Sequence, residues 1–290
     1  MLISILKITF LFIGDSSSNI KVSFVMLTWN SEKYIRNCIN SINKLYSQLS
    51  LELIIVDNGS EDSTLQKLQD SKRSVNYPFK IISLPKNEGT TVSRNLAVKQ
   101  AKGDILIIMD SDVEFNSHGF KDMINYLRLH PKIGILAPKI LYPNGEIQHS
   151  CKKFPTFTLK ILRLVGILTR FFPFQHDFYP NFPFNNTTDV DTAISAFWVM
   201  KRDIFELVGY LDENIFYSPE DIDYCVRIWL AGRKVVFYPH FEVMHYTQQI
   251  SHRSPFNRIS RSHLKGLIYY FNKYNYWLSY KKIKRLVNKT

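Results

Sequence analysis

Two carboxylates end an apolar run in the middle of this 290-residue chain. Residues 105–109 are all apolar, and Asp110-Ser111-Asp112 follows them directly. Buried strands of α/β proteins have this composition, and such proteins bind ligands at the carboxyl ends of their strands. Carboxylate oxygens so close together are suitable ligands for Mg²⁺ or Mn²⁺. Taken alone, the pattern also fits an ordinary polar turn after a strand.

A second group of carboxylates lies at the predicted start of a helix. Pro219 suits the first turn of that helix, and Glu220 and Asp221 lie where the helix dipole favours negative charge. Asp221 would therefore remain ionised and ready to accept a proton. Asp223 and Arg227 are four residues apart, which predicts an ion pair along the same helix. The alternative is an ordinary capped, salt-bridged helix.

The elements that must position these side chains alternate between strands and helices. Apolar runs predict four strands that end near residues 27, 56, 84 and 110, and helical periodicity follows each of the first three. This alternation predicts an α/β fold with a Rossmann-like, mainly parallel sheet and helices on both faces. The polar ends of the four strands should then meet at one crevice. Gly-Xaa-Gly-Xaa-Xaa-Gly and Gly-Lys-Ser loops are absent from the sequence, which argues against a dinucleotide-binding fold and a P-loop.

The composition is that of a globular protein. A hydrophobic content of 45% with 21% charged residues excludes a disordered or fibrous chain. Residues 1–14 are apolar but too short for a transmembrane helix and contain Lys7, so we expect an N-terminal extension or a first strand. Cys38, Cys151 and Cys225 are far apart and odd in number, which predicts buried thiols in a reducing, cytoplasmic compartment.

The formal net charge of +12 indicates an anionic partner, for which nucleic acid, anionic lipid and a phosphorylated substrate all qualify. After residue 253 basic residues alternate with aromatic and aliphatic ones. Helices of this composition lie on membrane surfaces, so we predict a basic helical tail at an anionic membrane surface. No nucleic-acid-binding module accompanies it, and we expect no nucleic acid partner. Residues 154–184 are predicted to be a lid or membrane-facing segment, or else a buried helix with an irregular loop.

Residues 21–246 resemble the inverting, metal-dependent glycosyltransferases of family 2, which share the GT-A fold, and among them the rhamnosyltransferase-like branch. The resemblance rests on blocks that occur in the same order as in that family. The blocks are Thr28-Trp29-Asn30, Val56-Asp57-Asn58-Gly59-Ser60, Asn87-Glu88-Gly89 with Arg94-Asn95, Asp110-Ser111-Asp112, residues 208–213, Glu220-Asp221-Ile222-Asp223 and His245.

Composition and the resemblance together predict four regions. An apolar N-terminal extension (1–20) precedes a nucleotide-sugar-binding half (21–115). An acceptor-binding half (116–250) and the basic, aromatic helical tail (251–290) follow.

The resemblance also implies a role for each matching residue. Asp110 and Asp112 would hold Mn²⁺ or Mg²⁺ on the donor diphosphate, with His245 as a third ligand, and Asp221 would be the general base. Asp57 would hydrogen-bond the nucleotide base. Trp198 and Glu220 are expected on the acceptor side. The full set expected along the donor nucleotide is Thr28, Asn30, Glu32, Asp57, Asn87, Gly89, Arg94 and Asn95.

One stretch departs from the family pattern. Where the family usually carries Gly-Ala and a small or sulfur-containing residue, this chain has Ser195-Ala196-Phe197. We expect Ser195 and its bulky aromatic neighbours to reshape the sugar or acceptor pocket.

The implied reaction is transfer of a sugar, with inversion, from a nucleotide-diphosphate donor to a hydroxyl of a glycan acceptor. The basic tail favours a lipid-linked acceptor at the cytoplasmic membrane face, in the synthesis of cell-surface polysaccharide or glycoconjugate. One alternative is transfer to a polyprenyl phosphate. Another is a non-catalytic protein that binds nucleotide sugar or anchors an assembly at the membrane.

Overall fold

The computed structural model describes residues 21–157, 179–247, 258–275 and 279–288. The predicted N-terminal extension and most of the predicted lid segment fall outside these residues. The strands are β1 (Lys21–Thr28), β2 (Ser50–Asp57), β3 (Phe79–Ser83), β4 (Ile105–Asp110), β5 (Val113–Phe115), β6 (Ile133–Leu141), β7 (Cys151–Lys152), β8 (Thr188–Asp189), β9 (Thr192–Ala193), β10 (Phe197–Lys201) and β11 (Lys234–His245).

A nine-stranded sheet forms the centre of the described fold, in the order β3-β2-β1-β4-β10-β6-β11-β5 with β8 beside β11. The first four strands are parallel, and β10 runs antiparallel to both β4 and β6. Since β11 is parallel to β6, six of the nine strands share one direction. The prediction of an α/β fold with a mainly parallel sheet is confirmed. Both predicted halves of the chain contribute strands to this sheet.

The apolar run of β4 is continuous because both faces of the sheet are covered. Ile107 and Met109 belong to the core on one face, and Leu106 and Ile108 belong to the core on the other. Alternate side chains of a strand point to opposite faces, so a strand buried on both sides must be apolar at every position.

Helices cover both faces of the sheet. The helices α1 (Ile35–Asn43), α2 (Thr64–Arg73) and α4 (Phe120–Leu129) contribute side chains to one core. The helices α3 (Thr90–Gln100), α5 (Asp203–Val208) and α6 (Glu220–Leu230) contribute to the other. Cys38, Cys151 and Cys225 are buried free thiols, as predicted.

The tail forms two helices, α7 (Arg258–Tyr274) and α8 (Tyr280–Val287). Its apolar side chains pack onto the body of the protein in a third core, which contains Phe154, Val226, Tyr270, Phe271, Ile283 and Val287. Ion pairs join the same surfaces, because Lys284 Nζ lies 2.5 Å from a carboxylate oxygen of the buried Asp191. The tail is helical as predicted, but much of its aromatic and aliphatic surface covers the domain itself. Among the described helices none has the length and apolar character required to cross a bilayer.

The sheet register brings the polar strand ends together. Thr28 at the end of β1 lies beside Asp57 at the end of β2, and Leu27 lies beside Asp110 at the end of β4. His245 at the end of β11 lies beside Val113, which follows Asp112 directly. The predicted crevice therefore exists at the carboxyl edge of the sheet.

Candidate active site

A cavity of about 420 Å³ opens at this carboxyl edge, within the size range of small-molecule sites. Its lining includes the predicted metal ligands Asp110, Asp112 and His245 and the predicted base Asp221. Asp110 belongs to β4 and His245 to β11, so residues that are 135 positions apart in the sequence line the same cavity.

Asp110, Asp112 and His245 form a cluster in which one ligand atom from each residue lies within 4.8 Å of the others. His245 Nε2 is 3.4 Å from Asp112 Oδ1 and 3.9 Å from Asp110 Oδ2. Its other ring nitrogen, Nδ1, is 3.0 Å from Gln148 Oε1, which turns Nε2 towards the carboxylates. Burial lowers the pKa of His245, but Asp112 and Asp110 outweigh burial and raise it overall. Two carboxylates and an imidazole this close together form a negatively charged set of ligands that suits a divalent cation.

Arg94 connects the metal cluster to the helix that carries Asp221. Its side chain is 2% exposed. Nη2 donates to Asp110 Oδ1 at 2.5 Å, and Nη1 donates to Ser195 Oγ at 2.6 Å and to Glu220 Oε1 at 3.2 Å. The Ser195 hydroxyl also donates to Glu220 Oε1, at 3.1 Å. Because the guanidinium is planar and always charged, it holds these groups at fixed positions.

The adjacent carboxyls of Glu220 and Asp221 have different environments. Glu220 is 8% exposed and bonded to Arg94 and Ser195. Burial raises the pKa of Glu220, and the charge of Asp221 adds to that rise, whereas Arg94 and Ser195 oppose it. Asp221 is only partly buried and lines the cavity. Glu220 lines the cavity as well, but its carboxyl is engaged by Arg94 and Ser195, so Asp221 is the more accessible of the two. An acceptor-side role for Glu220 stays a prediction.

The residues predicted along the nucleotide base and ribose form a hydrogen-bonded group at the ends of β1 and β2. Asp57 is 1% exposed, and its Oδ1 accepts from the Thr28 hydroxyl at 3.0 Å and from the Ser60 hydroxyl at 2.6 Å. Asn30 and Glu32 lie exposed above this group and accept backbone N–H groups from the loop that follows β2. The neighbouring Trp29 and Asn58 reach the cavity. A role for this group in nucleotide binding stays a prediction.

The loop before α3 reaches the cavity at Gly89. Asn58 Nδ2 donates to Asn87 Oδ1 at 3.0 Å, and Asn58 Oδ1 accepts from the Glu88 amide at 2.9 Å, which joins this loop to the end of β2. Gly89 has a φ of 95°, and a Cβ there would lie 2.5 Å from the Phe216 carbonyl oxygen. Only glycine fits at that position. Asn87, Gly89 and Arg94 all line the cavity, and their role in binding the donor nucleotide stays a prediction.

Six predicted site residues lie outside the lining of the cavity: Thr28, Asn30, Glu32, Asp57, Asn95 and Trp198. The first four belong to the group at the ends of β1 and β2, and the other two have contacts elsewhere. Trp198 is fully buried in the core, where it donates to the Ala193 carbonyl at 3.2 Å and stacks on Tyr224. Because of its position on β10, the Trp198 side chain points to the sheet face that α6 covers. This position is incompatible with the predicted contact between Trp198 and the acceptor. The side-chain amide of Asn95 donates to the Leu211 carbonyl and to Glu213 Oε1, and it accepts from the Leu211 backbone N–H. Asn95 is buried, and these bonds join α3 to the segment before α6.

Sequence reasoning missed several residues that line the cavity. Ser31 and Ser111 join through their hydroxyls at 2.7 Å. Gln148 orients His245, but it lies in a loop where nothing in the sequence marks it. His263 of α7 also lines the cavity. The basic, aromatic composition of the tail predicts contact with lipid and does not indicate that one of its histidines lines the cavity.

Comparisons with known proteins agree with this geometry. Residues 23–209, more than half of the chain, match the family described as glycosyl transferase family 2. The poly(ribitol-phosphate) beta-N-acetylglucosaminyltransferase TarS of Staphylococcus aureus is 34% identical over 128 residues, which cover 43% of this chain and 22% of that enzyme. The N-acetylglucosaminyl-diphospho-decaprenol L-rhamnosyltransferase of Mycobacterium tuberculosis is 22% identical over 272 residues, covering 87% and 85% of the two chains. The chain spans about a quarter of the length of two of the curated relatives that it matches.

Solved structures show the same fold. The mannosyltransferase PcManGT of Pyrobaculum calidifontis, determined with GDP-Man and Mn²⁺, superimposes with a TM-score of 0.60 at 17% identity over 92% of this chain and 68% of that one. At this identity the likeness is evidence for the fold, which is GT-A. From the family match, the ordered sequence blocks and the shared fold, this chain belongs to glycosyl transferase family 2.

Proposed function

We propose that the protein is a metal-dependent, inverting glycosyltransferase that moves a sugar from a nucleotide-diphosphate donor to a hydroxyl of a glycan acceptor. The observation that carries this proposal is that the Asp110, Asp112 and His245 cluster and the accessible Asp221 line the same cavity. A site for the leaving diphosphate and a base for the attacking hydroxyl are both needed for such a transfer.

The proposed mechanism assigns one task to each side of the cavity. Asp110, Asp112 and His245 would hold Mn²⁺ or Mg²⁺, which when bound neutralises the charge that develops on the departing nucleoside diphosphate. Asp221 accepts the proton of the acceptor hydroxyl as its oxygen attacks the anomeric carbon. Attack opposite the leaving group inverts that carbon. Arg94 holds Asp110 and Glu220 in place during this step.

The donor side of the proposal extends to the loops beside the cavity. Asn87 and Gly89 line it, and Thr28, Asn30, Glu32 and Asp57 lie together at the adjoining strand ends. We propose that the nucleotide lies along these strand ends with its diphosphate towards Asp112. Two structural neighbours have been solved with nucleotide sugars, PcManGT with GDP-Man and S. aureus TarS with UDP-GlcNAc, which supports testing both nucleotides.

We also propose a lipid-linked acceptor and a peripheral position at the cytoplasmic membrane face. The name of the mycobacterial relative specifies a diphospho-decaprenol acceptor for that enzyme. The outward face of α8 exposes Lys281, Lys282 and Arg285 with Leu286, a basic surface with one aliphatic side chain. Such surfaces bind anionic headgroups.

The test begins with a panel of UDP- and GDP-sugars, each added with and without Mn²⁺ while the melting temperature is measured. We expect a stabilising nucleotide sugar that requires the metal. Sugar transfer to lipid-linked glycans is then measured for Asp221→Asn, which should lower the rate by roughly 10²- to 10⁴-fold and retain the nucleotide-dependent stabilisation.

Asp203→Asn is the matched control, because Asp203 is also a first-turn helix carboxylate but is exposed. Full turnover by Asp221→Asn on a glycan hydroxyl would refute the base assignment. Retained turnover on polyprenyl phosphate alone would favour the alternative acceptor, since a phosphate is already ionised. Nucleotide binding without turnover across the panel would favour the non-catalytic alternative.

A further inference from the structure

Helix α7 of the tail contacts the loop that leads into Asp221. Gly266 lies against the backbone of Ser218 and Pro219, and a Cβ at position 266 would clash with the Ser218 carbonyl oxygen and lie 3.2 Å from Pro219 Cδ. A carbonyl oxygen cannot move aside as the end of a flexible side chain can. The absence of a side chain at Gly266 therefore allows the helix to touch this loop.

Further along α7, two side chains hold both ends of the segment that contains Asp221. Lys273 Nζ lies 2.6 Å from Asp212 Oδ2 and 2.7 Å from Asp223 Oδ1. The Tyr274 hydroxyl donates to Asp223 Oδ1 at 2.9 Å. Asp223 is 1% exposed and also accepts from Arg227, so its carboxylate is fully engaged. One lysine thus bridges residues on either side of the predicted base.

The same helix reaches the cavity. His263 lines it together with Asp221, Tyr217 and Lys152. Positions 263, 266, 270 and 273 follow the spacing of one helix face. This single face therefore runs from the cavity wall, over the loop at Ser218, to the anchor at Asp223.

We propose that α7 is a positioning element of the active site: Gly266 and Lys273 fix the segment 212–223 so that Asp221 faces the acceptor, and His263 contacts the acceptor. The proposal deepens the function proposed above and rests on the role given there to Asp221. It assigns to the tail a part in catalysis that is separate from any contact with lipid.

The test compares Gly266→Ala, Lys273→Met and Lys273→Arg with the control Lys265→Met, which removes a charge from an exposed position of the same helix. Hydrogen exchange of residues 212–223 is measured by mass spectrometry in the full chain. Exchange should accelerate in Gly266→Ala and Lys273→Met, return towards the wild-type rate in Lys273→Arg, and stay unchanged in Lys265→Met. Residues 105–112 should exchange at the wild-type rate in all four variants.

The kinetic arm uses the donor found in the panel. In Gly266→Ala and Lys273→Met, kcat should fall by roughly 10- to 100-fold, because small displacements of a catalytic group have effects of this size. Stabilisation by UDP or GDP with Mn²⁺ should be retained. His263→Ala should instead raise the KM for the acceptor.

Unchanged exchange in both Gly266→Ala and Lys273→Met would overturn the positioning role, whatever the activity. Accelerated exchange with an unchanged kcat would overturn its connection to catalysis. An unchanged acceptor KM in His263→Ala would overturn the contact assigned to that residue. A wild-type protein that transfers no sugar would refute the proposed function, and with it the catalytic part of this inference, while the exchange data would still decide whether α7 holds the segment.

Discussion

Arg94 is the residue on which most of the site's internal contacts converge. The sequence placed it with the donor-binding residues, and it does line the cavity, yet its guanidinium is nearly inaccessible and already bonded to Asp110, Ser195 and Glu220. A buried arginine of this kind keeps carboxylates in place. Burying its charge costs desolvation free energy, and this cost is offset only when every partner is present. The cluster proposed to bind a metal and the helix that carries the proposed base therefore share one support.

We predict that Ser195→Ala weakens this support. The substitution removes the hydroxyl that accepts from Arg94 and donates to Glu220, and it leaves buried polar atoms without that partner. The free energy of unfolding should fall by about 1–3 kcal/mol in denaturant titrations. Ser74→Ala removes an exposed hydroxyl that bonds a backbone carbonyl and should change stability by less than about 0.5 kcal/mol. Equal stability of the two variants would show that the Ser195 hydroxyl is dispensable.

We predict that Gln148→Ala weakens metal binding although Gln148 is not itself a proposed ligand. Without the contact to Nδ1, the His245 ring loses the partner that aims Nε2 at the carboxylates. The apparent affinity for Mn²⁺, measured by calorimetric titration, should fall by roughly 10- to 100-fold. Gln66→Ala, at an exposed position on α2, is the control. Identical Mn²⁺ affinity in the Gln148 and Gln66 variants would contradict this orienting role.

The tail helices show how one element serves two surfaces. The inner faces of α7 and α8 complete a core with Phe154 and Val226, and their ion pairs reach Asp191, Asp212 and Asp223. Their outer faces leave basic and aliphatic side chains exposed. Truncating the chain within α7 would therefore uncover apolar surface as well as remove charge, so truncation cannot by itself report on lipid binding.

The attachment of α7 should depend on pH in the acidic range. Burial alone would raise the pKa of Asp212, but hydrogen bonds from Lys273, Asn214 and Tyr269 outweigh it and lower the pKa from 3.8 to about 2. A lowered pKa in the folded state contributes stability that is fully present above the unfolded value and is lost as the pH falls towards the folded value. This contribution should therefore disappear between pH 3.8 and about 2.

Denaturant titrations of the wild type and Asp212→Asn across this range would measure the effect. The variant should be less stable near neutral pH, and the difference from the wild type should shrink as the pH falls. Asp189→Asn is the control, because the Asp189 pair with Lys234 is exposed on both sides. A difference between wild type and Asp212→Asn that stays constant with pH would contradict the linkage.

At the level of the whole molecule, one sheet joins the two halves that the sequence predicted, 21–115 and 116–250. The strand β10 from the second half of the chain lies between β4 and β6, so the two halves share hydrogen bonds and core. Motion between them as separate rigid bodies would break that sheet. The excess positive charge of +12 is a separate feature of the molecule, and it acts through the surface potential.

We predict that the outward face of α8 binds anionic membranes. Vesicles containing phosphatidylserine should retain the wild-type protein at low salt and release it as the ionic strength rises. Charge reversal at Lys281, Lys282 and Arg285 should abolish retention, because each basic residue near the surface contributes about 1 kcal/mol. These side chains are exposed, so the melting temperature should stay at the wild-type value.

The matched control reverses three exposed basic residues elsewhere, Lys44, Lys72 and Arg73. This variant has the same net charge as the tail variant and should still bind vesicles. Equal loss of binding in both variants would indicate a general charge effect and contradict a specific membrane face.

The fold was predictable because its local patterns agree with its tertiary structure. The doubly buried strand β4 is apolar at every position from Ile105 to Met109, and the polar residues that begin at Asp110 lie where parallel strands place ligands. The pair Asp223 and Arg227 could also be predicted, since helical spacing alone brings the two side chains together.

The contacts that specify the role of each residue could not be predicted from the sequence. Trp198 and Asn95 were both expected at the site, but the direction of a side chain from its strand or helix decides whether it meets the cavity or the core. Gln148 reaches the cavity from a loop and contacts His245, 97 positions away, whereas His263 reaches the cavity from the tail.

The chemical groups of this protein could be predicted from its sequence alone: two pairs of carboxylates, a histidine at the end of the last strand and a basic amphipathic tail. Those follow from residue type and short-range spacing, which local periodicity controls. Three further features come from the packing of the folded chain: Arg94 contacts both carboxylate pairs, Glu220 is buried while Asp221 is accessible, and α7 contacts both Asp212 and Asp223. These depend on burial and on distances across the fold, because the packing of distant segments sets which polar groups keep their contact with solvent.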